Sequence, residues 1–197
     1  MAVLNRVIYM VFVDSLAVML LGVGVSSVLI AMYMIMVAMG KKQLSQIAVP
    51  AMVLGIFDAV SGFYMSFAWP LPAAYNMLFG DPMLFLGLFM VMGGYMLYKN
   101  IDIKLLSIPG ALFGIYMLVE MVAIFTLHLE SGQDLLPSLG LYGFAGLSAL
   151  LSPLVYSGVK GNGKHAYYLL ALLLILTAFI ALIIGYGAIY SHLASPP

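Results

Sequence analysis

Two carboxylates stand in stretches that are otherwise apolar: Asp58 within IFDAVSGF and Glu120 within MLVEMVAIF. Asp58 precedes Trp69 by 11 residues and Glu120 precedes His128 by 8. At the helical rise these separations are about 16 Å and about 12 Å. Half the hydrocarbon core of a bilayer is about 15 Å, so both acids fall deep in the apolar layer. An ionised carboxylate at the centre of a membrane helix costs on the order of 3 kcal/mol. Every lysine lies in a link between apolar runs, and Arg6 stands before the first, so no basic side chain shares that depth. Three resolutions remain: the carboxyl keeps its proton, it takes hydrogen bonds from hydroxyls such as Ser61, Tyr64 or Tyr116, or it holds a cation. The acids then form a site for ions, protons or a substrate, a structural pair of protonated, hydrogen-bonded carboxyls, or a contact within an oligomer.

The elements that must position these acids are membrane spans. Of 197 residues, 65% are hydrophobic and 7% are charged, against roughly 25% charged in soluble domains. Zero net charge and the lack of a basic, aromatic-bearing patch exclude a nucleic-acid partner. The absence of cysteine removes disulfides and thiolate chemistry. Six apolar runs, at about 15–39, 46–68, 83–98, 105–127, 138–158 and 165–190, predict an all-α integral membrane bundle of six transmembrane helices. The expectation is a single transmembrane domain over residues 1–197. Lys41, Lys42, Lys99, Lys104, Lys160 and Lys164 mark three links on one side, while Asp14, Asp81, Glu130 and Asp134 mark the other. The positive-inside rule then places both termini outside the cell membrane.

The first external link reads SFAWPLPAAYNMLFGDP, residues 66–82. Trp69 and Tyr75 suit the headgroup level, and Pro70 and Pro72 hold the chain extended. Asn76 follows, and Asp81-Pro82 has the form of a helix start, an acidic cap before proline. Gln133-Asp134 and Pro137 form the same device before the fifth run. A rigid interfacial turn and a lid over something beneath it both fit. The order W-P-L-P, Y-N, F-G-D-P at Trp69–Pro72, Tyr75–Asn76 and Phe79–Pro82 resembles an uncharacterised family of small polytopic membrane proteins from archaea and actinobacteria. Ala73 and Ala74 stand where that family has glycine. The resemblance implies a fold and a location and transfers no activity.

VPAMVLGIF at 49–57 and IPGALFGIY at 108–116 repeat one pattern, with Pro50 matching Pro109 and Gly55 matching Gly114. The repeat unit is a helical hairpin, spans two–three and four–five, in parallel orientation. Parallel repeats are related by an axis along the membrane normal. This alignment sets Glu120 opposite Ser61, on the helix face that carries Asp58. The two acids are therefore expected to approach a common axis, with at least one holding its proton. The two prolines are expected to free carbonyls that line a polar cavity.

Other signals are blander. Sixteen methionines fill packing gaps, and no metal site is expected. His128 and His192 suit helix C-termini better than a haem, so no cofactor is expected. Gly110/Gly114 and Gly140, Gly143 and Gly146 allow close helix contact, and the sixth span should face lipid or a partner subunit. No hydrolase motif is present, which leaves catalysis unsupported. The functional expectation is a small transporter or ion- or proton-conducting protein using Asp58 and Glu120. The alternative is a non-catalytic subunit of a larger membrane complex, respiratory for example. Its surroundings are the lipid bilayer, with a homo-oligomer or partner membrane subunits as companions.

Overall fold

The computed structural model of the chain describes residues 15–41, 43–160 and 163–194; Arg6, Asp14, Lys42, Gly161 and Asn162 lie outside them. Six helices follow in order: α1 (Ser15–Ala38), α2 (Ala48–Ala68), α3 (Asp81–Tyr98), α4 (Ser107–Thr126), α5 (Leu135–Leu150) and α6 (Gly163–Ala194). Extended by their leading and trailing turns, all six are long and apolar enough to cross a membrane. The fold is all-α, and the protein is a multi-pass membrane protein.

The helices associate as three antiparallel pairs: α2 with α3, α4 with α5, and α1 with α6. Lipid tails are as apolar as leucine, so such pairs hold by close packing rather than by hydrophobic burial. Glycine permits the closest approach. A Cβ on Gly55 would lie 2.8 Å from the carbonyl oxygen of Gly87, and one on Gly87 would lie 2.2 Å from the amide nitrogen of Ala59. In the other hairpin a Cβ on Gly114 would lie 2.7 Å from the carbonyl oxygen of Gly146 and 2.2 Å from the nitrogen of Leu150. Gly55 and Gly114 are 59 positions apart, as are Gly87 and Gly146. The same offset relates the 3-10 turns that lead into the two hairpins, Leu44–Ile47 and Ile103–Leu106. It also relates Asn76 and Leu135, where the returning helical segments begin. The contacts of one hairpin thus recur in register in the other, which is the structural content of the repeat.

Several details refine the expectations. The third span begins at Asn76, because a π-helical turn over Asn76–Gly80 runs directly into α3. Asp81 therefore does not cap a helix end: its own N–H already bonds the Met77 carbonyl. The wide turn is what lets Pro82 sit in a continuing helix, since a narrower one would press its ring on the carbonyl four residues back. That carbonyl, of Leu78, lacks the N–H that proline cannot supply, and the Tyr142 hydroxyl donates to it instead. Asp134 does occupy the cap position of α5, but its side chain makes no capping bond. Pro50 and Pro109 both present their rings to the outside of the bundle. Finally, α6 is no bystander. Ala178, Ala181 and Gly185 make a small-residue strip buried in the bundle, and Gly185 reaches Leu21 and the Ala17 carbonyl of α1.

Between the pairs lies a central cavity of about 290 Å³ to which all six helices contribute. Gly93 lines it, and a Cβ there would meet only the tip of Leu106, at 3.5 Å. The two kinds of glycine separate in a test. Gly87→Val and Gly114→Val should each destabilise the protein by about 3 kcal/mol, since overpacking here meets backbone. Gly93→Ala should stay within about 1 kcal/mol of wild type. Thermal unfolding in detergent measures all three, and equal effects would remove the register argument.

Candidate functional site

Asp58 is fully buried on α2 and turns toward α1, where the Ser26 hydroxyl donates to its Oδ2 at 2.5 Å. Gly22, one turn earlier on α1, makes room for the carboxyl; a Cβ there would sit 2.9 Å from Oδ1. That Oδ1 has no hydrogen-bond partner among the described residues. Of the hydroxyls expected beside it, Ser61 is only half-buried and Tyr64 is 49% exposed, on the lipid side. The α1 hydroxyl was missed because nothing in the text of one helix says which other helix will face it. The Ser26-Ser27 pair, polar in an apolar run, was the available signal.

Glu120 is 7% exposed on α4. Tyr116, one turn earlier, donates its hydroxyl to Oε1 at 2.8 Å, while Oε2 has no partner among the described residues. The same hydroxyl lies 3.3 Å from Oδ2 of Asp81, whose Oδ1 accepts from Ser66 at 2.5 Å. Four side chains from three helices thus form a continuous polar chain: Glu120, Tyr116, Asp81, Ser66. The chain departs from expectation in its membership. Glu120 is joined to Asp81 of the link, whereas Asp58 engages Ser26, and no hydrogen bond links the two intramembrane acids. The reason lies in packing: α2 and α4 each pack on their own hairpin partner, so their acids turn to different neighbours. Neither Asp58 nor Glu120 lines the central cavity.

The link above this chain is built around Asn76, which is fully buried. Its Oδ1 accepts from the Leu71 N–H at 2.8 Å, and its Nδ2 donates to the carbonyls of Leu71 and, at 3.3 Å, Ala73. These bonds hold the Pro70-Leu71-Pro72 segment against two left-handed residues, Trp69 at φ 55° and Ala73 at φ 49°. Such conformations are costly outside glycine, and a buried amide is what fixes them. Trp69 closes α2 and is half-exposed, as an interfacial ring requires. The Tyr75 hydroxyl crosses to the Leu129 carbonyl at 3.3 Å and so ties this link to the one after α4. Burial pushes Glu130 of that second link above the usual carboxylate value, nearby Asp134 adds to the rise, and the Tyr75 hydroxyl partly offsets it.

The family described as Protein of unknown function (DUF981) matches residues 10–195. The chain belongs to that family. No curated protein and no solved structure matches it. The DUF981 match covers every described residue, so the carboxyl chain, the Asn76 link and the cavity all lie inside the family's extent.

Asn76→Ala removes three hydrogen bonds at a strained turn and should cost about 3 kcal/mol, at about 1 kcal/mol for each; thermal unfolding in detergent checks it. Glu130 gives a pH test. Its raised value penalises only the ionised form, so the cost is present above the raised value and disappears as pH falls below 4.5, the group's ordinary value. Glu130→Gln should therefore unfold at a higher temperature than wild type at pH 7, and that advantage should vanish near pH 4. A constant advantage at both pH values would contradict the assignment.

Proposed function

We propose that this protein moves protons, alone or coupled to a solute, across the membrane, with Glu120, Tyr116 and Asp81 as the proton-handling group. The observation that carries the reading is one hydroxyl within reach of two carboxyls, one of them buried with a free oxygen. A tyrosine hydroxyl donates one proton and accepts another. It can therefore pass a proton from one carboxyl to the other by turning its own. Ser66 extends the path toward the Trp69 end of the bundle, and Asn76 fixes the link that carries Asp81. Asp58, with its own free oxygen against α1, supplies a second station near mid-depth. Lys41, Lys99, Lys104 and Lys164 stand at the opposite end, which this reading faces to the cytoplasm.

The test is proton flux in liposomes holding the purified protein, followed by an entrapped pH dye under an imposed potential. Sidedness is set by protection of a Lys99→Cys variant from an impermeant maleimide; labelling of that cysteine in intact cells would overturn the orientation. Glu120→Gln and Tyr116→Phe should each lower flux at least ten-fold while elution and unfolding temperature change little. Asp81→Asn should do the same. If flux is absent in wild type, or all three variants match it, the acids are structural and the subunit reading takes its place.

A further inference from the structure

We propose that the central cavity is a binding site for a lipid with one slender apolar chain and a small hydroxyl-bearing head, admitted between α3 and α4. This is independent of the proton-handling group, whose acids do not line the cavity.

The lining comes from all six helices and is almost wholly apolar, with Leu20, Leu86, Phe113, Leu141 and Leu174 prominent. Apolar cavities stay dry, and one of about 150 Å³ holds a benzene ring. A space of about 290 Å³ therefore suits a segment of chain and gives nothing to an ion. At the lysine end the walls turn polar: Tyr33, Lys104, Ser107, Ser152 and Tyr167 reach the cavity there. The Ser107 hydroxyl there is buried and has no hydrogen-bond partner among the described residues. A head that meets the Lys104 ammonium and the Ser107 hydroxyl together is suited by a group that can both accept and donate, which a hydroxyl does.

The entrance follows from how the seams are closed. The pairs α2/α3 and α4/α5 are shut by backbone contact at their glycines. By contrast, α3 and α4 scarcely approach each other, although only the link from Lys99 to Leu106 joins them. Side chains fill that seam: Phe113 lies between Phe85, at 5.4 Å between ring centroids, and Phe89, at 5.9 Å, and stacks on Tyr116 at 5.8 Å. Rings can swing on their χ angles without breaking a backbone bond. A chain lying in the bilayer can therefore slip sideways into the bundle.

A long-chain alcohol with a mid-chain diazirine is the probe, added to membranes holding the full-length protein and photolysed. Mapped residue by residue, label should appear on Met90, Ala145 and Leu174 as well as on the outward-facing Val60, Val119 and Phe179. Gly93→Leu places its side chain in the cavity and should cut the first set at least five-fold while leaving the second unchanged. Gly110→Leu, entering from α4, should do the same, which guards against misfolding of one variant. Label confined to the outward set, or an inner set indifferent to both variants, would overturn the proposal.

Discussion

Lipid offers no hydrogen bond to a polar atom, and that constraint shapes this molecule more than any packing preference. Each buried polar group must find its partner within the chain. Asp58 finds Ser26 across a helix interface, Glu120 finds Tyr116 on its own helix, and Asp81 finds Ser66. Asn76 is satisfied only because the backbone curls into an unusual shape around it. The backbone itself obeys the same rule: where proline withholds an N–H, a tyrosine from another hairpin substitutes. What remains unpaired is then informative. Among the described residues, one oxygen on each intramembrane acid and the hydroxyl of Ser107 have no hydrogen-bond partner.

Much of the scaffold could be read from the text. Six apolar runs gave six helices, and Pro50/Pro109 with Gly55/Gly114 revealed the hairpin repeat at the register the contacts adopt. Here the signal is local, because glycine and proline constrain the backbone wherever they stand. The seven-residue spacing of Gly80, Gly87 and Gly94 on the returning helical segment of the first hairpin carries the same message. Side-chain partnerships were less legible. Ser61 and Tyr64 share a helix with Asp58, yet Ser26 is its partner, since lateral neighbours depend on how pairs of helices assemble. Asp81-Pro82 has the form of a cap, but a helix already running through Asn76 removes the free N–H groups that a cap would serve.

The seams between pairs differ in kind. Backbone contact through glycine is rigid, because no rotamer change relieves it. The aromatic filling between α3 and α4 is rigid only while its rings stay in place.

The bond from Tyr142 to Leu78 also bears on how the two hairpins came to differ. Under the 59-residue register Pro82 falls on Leu141 and Met83 on Tyr142. One copy has thus lost a backbone donor, and the other has gained a hydroxyl at the neighbouring position to replace it. Neither change is useful alone. Two copies of the first hairpin would leave both Leu78 carbonyls bare, and two of the second would leave a buried hydroxyl with nothing to hold. The two halves are therefore complementary and not interchangeable: the first leaves a carbonyl that needs a hydroxyl, and the second carries it.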